Sequence, residues 1–170
     1  MSALWAVADL VKATGGAANG EWCAWRVEID SRKVQAGDLF VAIKGERCDG
    51  HDFVAQAYAN GAIAAVVSQK LDIAGNQLVV ADTLGALEDL GKYNRARSRA
   101  KIIGITGSVG KTSTKEMLRV ALAASGLTHS SVASFNNHWG VPLTLARMPR
   151  NAAFGVFEIG MNHVGEITPL

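Results

Sequence analysis

The stretch Lys101-Ile-Ile-Gly-Ile-Thr-Gly-Ser-Val-Gly-Lys-Thr-Ser-Thr-Lys-Glu-Met-Leu118 restricts the possible folds of this chain more than any other segment. The apolar, β-branched run from Ile102 to Thr106 predicts a buried strand, Gly107-Ser-Val-Gly110 a loop, and Thr112 to Ala124 a helix. Strand, glycine loop and helix in that order form a cradle for phosphate. Gly107 and Gly110 can adopt backbone angles closed to other residues and carry no side chain, so successive N–H groups can converge on phosphate oxygens. The start of the helix adds the positive end of its dipole. Lys111 would place a full charge on the β/γ-phosphates, and the Thr112 hydroxyl would coordinate Mg²⁺. The candidate nucleotide-binding residues are therefore Gly107, Ser108, Val109, Gly110, Lys111, Thr112 and Ser113, with Lys111 catalytic and Thr112 a metal ligand. The general pattern G-x-x-x-x-G-K-[ST] asks for glycine where Ile105 stands. Glycine falls at Gly104 and Gly107 instead, so a narrower pattern applies.

Composition sets the boundaries of the remaining possibilities. The 170 residues suffice for one domain or two small ones, and with 49% of them apolar the chain can bury a core. A formal charge of +2 gives no electrostatic case for nucleic acid. Arg95, Arg97, Arg99 and Lys101 read as the solvated end of a helix. Cys23 and Cys48 lack paired spacing and no secretory leader is recognisable, so a reducing cytoplasm is expected. The longest apolar runs, such as Gly61 to Val67, are too short to insert in a membrane. A monomer is expected.

Taken in order, Leu4, Val7, Ala8 and Val11 form a helical stripe closed by Gly15-Gly16. Strands are predicted at Trp25–Ile29, Leu39–Ile43, Ala62–Val67 and Gln77–Val80, and a helix at Phe53–Asn60 with Phe53, Ala57 and Tyr58 inward. The polar loop Lys44 to Asp52 between two apolar elements is a place where ligands are often met. Asp82-Thr83 should cap a helix whose inner face carries Leu84, Leu87, Leu90 and Tyr93. Alternating strands and helices predict an α/β fold: a small first domain over residues 1–82, then a phosphate-loop domain with a mostly parallel sheet over residues 83–170. In the second domain, a strand within Ser131–His138, a helix over Gly140–Arg147 and a strand over Ala153–Ile159 are expected, with a helix beginning near Gly165-Glu-Ile167. So few strands leave the second domain's sheet incomplete.

Glu158 ends a predicted strand, on the edge where open α/β sheets bind ligands. Beside a phosphate loop, that acid is the natural Mg²⁺ partner of Thr112. Asn136, Asn137 and His138 offer donors and acceptors to a nucleotide, although Asn-Asn is equally ordinary turn chemistry. Asn162, His163 and Glu166 are polar residues after a strand end, and His163 has no second ligand at metal-binding spacing.

Thr106-Gly-Ser-Val-Gly-Lys-Thr-Ser113 resembles the T-G-[ST]-x-G-K-T-[ST] loop of the Mur ligases, the ATP-dependent amide-forming enzymes of peptidoglycan precursor synthesis, which explains the displaced glycine. Three further blocks agree in order and spacing: Asp30-Ser-Arg32 with Gly37 to Gly45, Asn136-Asn137 with Gly140 to Thr144, and Glu158-Ile-Gly160 with Gly165-Glu-Ile167. Lys44 to Phe53, Ser108 and Thr114 to Met117 look most like the branch that adds D-Ala-D-Ala to a UDP-N-acetylmuramoyl-tripeptide. The family often carries Gly-Asn where Ala133-Ser134 stand here.

The resemblance implies ATP and Mg²⁺ as cofactors, and UDP-N-acetylmuramoyl-tripeptide and D-Ala-D-Ala as partners. ATP would phosphorylate the tripeptide carboxylate, and the dipeptide amine would displace phosphate through a tetrahedral intermediate. It further implies that the first domain holds the UDP-sugar, with Ser31, Arg32, Lys44 and Arg47 as substrate-binding candidates. Asn136 and Asn137 join the nucleotide site, and Lys111 and Glu158 are its catalytic residues. Family members carry more central domain and a C-terminal domain, so this chain reads as a fragment able to bind nucleotide but not to ligate. The branch adding the third residue, and a non-catalytic UDP-sugar or nucleotide-binding module, are the alternatives.

Overall fold

The computed structural model describes residues 3–45, 48–132, 136–161, 165–168 and 170. The chain divides into two compact units, Met1–Leu90 and Gly91–Leu170.

The first unit opens with a short strand, β1 (Trp5–Ala6), that runs directly into helix α1 (Val7–Thr14). The helical stripe expected from Leu4 onward is thus broken. Leu4 and Trp5 are buried ahead of the helix, the helix buries Val7 and Leu10, and Ala8 and Val11 face outward. Gly15 ends α1 in the left-handed conformation at φ 67° and returns its N–H to the Val11 carbonyl. After β2 (Ala17–Ala18), strand β3 (Cys23–Ala24) pairs antiparallel with β1. The sheet of this unit then builds from β4 (Arg26–Glu28), β5 (Asp38–Val41), β6 (Ala64–Val67) and β7 (Asn76–Val79), in the order β2-β7-β6-β5-β4. The last four are parallel, and β2 alone is antiparallel. All residues of β5 and β6 are buried, as parallel strands covered on both faces require.

A 3₁₀ turn over Gly50–Phe53 precedes helix α2 (Val54–Ala59). Val54 and Ala57 point into a core with Val34, Phe40, Ala42, Ala65 and Val67. Phe53 is 39% exposed, contrary to its expected inward position, because the tighter turn at the front of the helix rotates it away. Gly61 follows at φ +104°, where a Cβ would lie 2.9 Å from the Ala36 Cα.

Helix α3 (Thr83–Arg97) starts where Asp82 accepts hydrogen bonds from the N–H groups of Leu84 and Gly85. The division between the two units falls inside it. Its buried positions are Thr83, Ala86, Leu87, Leu90, Gly91 and Asn94, a stripe rotated from the expected one, with Leu84 and Tyr93 only partly covered. Tyr93 instead lies under the Arg97 guanidinium, 5.3 Å from ring centroid to Cζ.

The second unit holds a parallel sheet of β8 (Lys101–Ile105), β9 (Thr128–Ser130) and β10 (Phe154–Glu158), in the order β8-β10-β9. Between them run α4 (Lys111–Ala123) and α5 (Gly140–Arg147). β8, predicted as a buried strand, is half exposed, because in this sheet it is paired on one side only. The strand expected after Ser131 ends at Ser130, and residues 165–168 form a turn where a helix was expected to begin. Ala100, Met148, Ala152 and Phe157 form the buried cluster of this unit. Asn94 is 1% exposed, and its amide donates to the carbonyls of Leu145 and Met148 at 2.7 and 2.8 Å, tying α3 to the end of α5.

Candidate functional site

In the second unit the phosphate loop connects the carboxyl end of β8 to the amino end of α4. Gly107 at φ 145° and Gly110 at φ 78° adopt backbone angles that side chains disfavour, and Gly110 caps α4. Residues 106–110 are all exposed, with the Val109 side chain turned outward at 90% exposure. The first N–H groups of α4, on Lys111, Thr112 and Ser113, have no partner within the helix and are free to meet an anion. The Lys111 Nζ donates to the Gly107 carbonyl at 2.6 Å, so the cation is folded back over the loop it would serve.

Glu158 is 3% exposed at the carboxyl end of β10. The Thr112 hydroxyl donates to its Oε2 at 3.0 Å and the Asn136 Nδ2 donates to its Oε1 at 3.0 Å. Thus a helix, a strand and a loop, far apart in sequence, meet on one carboxylate. The oxygens gathered there are hydroxyl and carboxylate, the hard donors that Mg²⁺ prefers. No group of three or more His, Cys, Asp or Glu side chains able to hold a metal occurs among the described residues. The Glu158 carboxylate and the Thr112 hydroxyl are a donor set that fits magnesium beside the phosphates of a nucleotide.

Asn137 behaves differently from its neighbour. Its side-chain oxygen accepts from the N–H groups of Trp139 and Gly140 at 3.2 and 2.9 Å, closing the start of α5. His138 stacks edge-on against Trp139. Ala133, Ser134, Asn162 and His163 lie outside the described residues.

Three contributors were not among the candidate site residues, although Gly160 and Lys115 fall within blocks that carry the family resemblance. Gly160 donates its N–H to the Asn136 carbonyl at 2.8 Å, and a Cβ there would come within 2.9 Å of the Asn136 side-chain amide. Ser131 and Lys115 are almost fully buried behind Glu158. Lys115 follows Lys111 by one helical turn, a spacing that marks the same helix face. His129 is also largely enclosed. Its Nε2 lies 2.8 Å from the Thr144 carbonyl, to which it donates, and burial lowers its pKa below the ordinary 6.5.

In the first unit, Ser31, Arg32 and Lys44 all follow the carboxyl ends of parallel strands, on one edge of the sheet. Their present partners are internal. Ser31 is 6% exposed and donates its hydroxyl to the Gln56 side-chain oxygen at 3.0 Å, while Asn60 donates to its carbonyl. Arg32 is paired in bidentate fashion with Asp30, which holds that carboxyl below its usual range. Lys44 is exposed, in a backbone bridge with Asp49. Arg47 lies outside the described residues. The loop is fastened by His51, whose Nδ1 contacts Asp49 and whose Nε2 accepts from the Ser68 N–H at 2.9 Å.

The family description "Mur ligase family, catalytic domain" matches residues 26–108, and "Mur ligase middle domain" matches residues 105–170. The sequence is 42% identical over 146 residues to the UDP-N-acetylmuramoyl-tripeptide–D-alanyl-D-alanine ligase of Rickettsia prowazekii, and 47% identical over 141 residues to that of Escherichia coli. Those alignments cover 85% and 83% of this chain, but 32% and 31% of the relatives, so the chain spans about a third of their length. In structure it is similar to the UDP-N-acetylmuramoylalanyl-D-glutamyl-2,6-diaminopimelate–D-alanyl-D-alanyl ligase of Acinetobacter baumannii, with TM-score 0.86 and 42% identity over 97% of this chain and 38% of that one. It is also similar to the MurF ligase of Thermotoga maritima solved in complex with ADP, with TM-score 0.70 and 31% identity over 85% of this chain and 34% of that one. The two family descriptions, the sequence identities and the shared fold together establish that the chain belongs to the Mur ligase family.

Proposed function

We propose that this chain supplies the UDP-sugar site and the ATP phosphate site of an ATP-dependent ligase that joins D-Ala-D-Ala to UDP-N-acetylmuramoyl-tripeptide. The observation that carries this reading is the meeting of Thr112 and Asn136 on the buried Glu158 carboxylate, at the mouth of a loop built to receive phosphate. The relatives in Rickettsia prowazekii and Escherichia coli bear the name of that reaction, and the Thermotoga maritima neighbour was solved with ADP.

In this reading the domains divide near residue 82, the first holding the UDP-sugar and the second the nucleotide. The loop N–H groups of residues 107–113 bind the phosphates. Lys111 exchanges the Gly107 carbonyl for a phosphate oxygen, placing its charge where negative charge builds up as the phosphoryl group transfers. Thr112 and Glu158 would hold Mg²⁺, which would supply positive charge against the phosphates. Asn136 orients the carboxylate. Ser31, Arg32, Lys44 and Arg47 serve the UDP-sugar, and Arg32 would have to exchange Asp30 for a diphosphate oxygen to do so.

Titration calorimetry with Mg-ATP and with UDP-N-acetylmuramoyl-tripeptide tests the reading directly. Two independent binding events on the unsubstituted chain are expected, and absence of Mg²⁺-dependent ATP binding would refute the assignment of the second unit. Among the described residues no helix is long and apolar enough to cross a membrane.

A further inference from the structure

Lys115 is 1% exposed, the most deeply buried of the charged side chains among the described residues. An ammonium group withdrawn from water is unfavourable unless its hydrogen bonds are made inside the protein, and a methionine or leucine would fill the same space without that penalty. The charge therefore calls for a reason. Its Nζ donates to the Ser131 carbonyl at 3.0 Å and lies 3.5 Å from the Glu116 Oε1. Ser131 is itself 2% exposed and stands directly after β9. Its N–H donates to the Val156 carbonyl at 3.3 Å, and its Oγ accepts the N–H of Glu158 at 3.4 Å. One residue thus receives Lys115 on its carbonyl and Glu158 on its hydroxyl. It also heads the segment that leads to Asn136, the donor to the far oxygen of the same carboxylate. Lys115 lies three residues after Thr112, on the helix face that carries the hydroxyl to Glu158.

We propose that Lys115 is a positioning residue for the phosphate site. By gripping Ser131 it fixes the backbone under Glu158, so that the carboxylate and the Thr112 hydroxyl are held together for a divalent cation. The inference rests on the reading of the second unit as a Mg-nucleotide site and names the group that keeps that site in register. Loss of such an outer support typically weakens metal binding about tenfold or more.

The test uses the 170-residue chain carrying Lys115→Met, which keeps the length of the side chain and removes its donors. Amide hydrogen exchange is followed by NMR without nucleotide, and ATP binding is measured by calorimetry with and without Mg²⁺. Exchange at Ser131 and Glu158 is expected to accelerate while the amides of β5 keep their rates. The gain in ATP affinity conferred by Mg²⁺ should fall about tenfold, with metal-free ATP binding little changed. In a Glu158→Ala background, Lys115→Met should remove nothing further from that gain, since both act on the same group. Unchanged exchange at Glu158, equal loss of metal-free and Mg²⁺-dependent binding, or additive losses in the double variant would each overturn the proposal. Lys115→Gln, which keeps a donor but shortens its reach to the Ser131 carbonyl, should shift both readouts the same way by less, and it decides the matter if Lys115→Met does not fold. Absence of Mg²⁺-dependent binding in the unsubstituted chain would instead overturn the reading of the site, a failure told apart by the exchange of Glu158, which needs no nucleotide.

Discussion

The two units present candidate groups at the carboxyl edges of parallel strands, yet they prepare them in opposite ways. In the second unit the phosphate loop offers backbone N–H groups that no side chain competes for among the described residues, and two polar side chains, Thr112 and Asn136, are already assembled on Glu158. In the first unit the candidates are charged or hydroxylic side chains on separate loops, and Ser31 and Arg32 are engaged with neighbours that any ligand must displace. In the second unit Lys111 alone must trade a partner, the Gly107 carbonyl, while the backbone and the buried acid are set before a ligand arrives. A site made of side chains on separate loops must trade internal partners for external ones, and the affinity left is the difference.

The sharpest way to break this contrast is Lys111→Ala. Removing a charge-assisted contact to phosphate should weaken Mg-ATP binding about a hundredfold, or roughly 2–3 kcal/mol, with binding of the UDP-sugar to the first unit unaltered. Calorimetry with both ligands reads it, and parallel loss of both would mean that the two sites are not separate. Glu158→Gln comes next. It keeps the shape and loses the charge, so the affinity gained from Mg²⁺ should drop about tenfold while metal-free nucleotide binding holds; an unmoved Mg²⁺ titration would remove Glu158 from the cation.

A smaller effect should follow from pH. Burial disfavours the charged form of His129, so its pKa in the folded chain lies below the unfolded value near 6.5. As pH falls through 6.5 the unfolded state gains a proton that the folded state refuses, and stability declines until the pH passes below the folded pKa. The melting temperature of the second unit should therefore drop on mild acidification, and His129→Gln should flatten that drop; an equal drop in the variant would place the sensitive group elsewhere. The smallest expected change is Arg32→Ala. Its side chain is 79% exposed in the ion pair with Asp30, so the melting temperature should not move measurably. UDP-sugar binding should weaken by about twofold to fivefold, and an unchanged affinity would leave Arg32 outside the substrate site.

Legibility in the sequence tracks the same contrast. The glycine loop could be read because its chemistry lies in consecutive residues, and Glu158 because an acid ending an apolar strand is conspicuous. The alternation of strands and helices gave the α/β architecture, and apolar runs marked β5, β6 and β10. Helix faces were read less well. The inner stripe of α3 passes through Asn94, a polar residue buried because it brackets two carbonyls at the end of α5, and periodicity of apolar residues cannot reveal that. Trp5 was placed in a helix because its pairing with Ala24 lies nineteen positions away. Lys115 was invisible for a related reason, since a lysine in an amphipathic helix ordinarily faces water.

Gly160 contributes no side chain to any ligand, yet its bare Cα allows the Asn136 amide to stand where it does. The place of a polar group at this edge of the sheet therefore depends on a position whose side chain has nothing to donate or accept. Variants that silence the nucleotide site can be expected to arise there as readily as at the lysine, and a survey confined to charged or hydroxylic residues would pass over them.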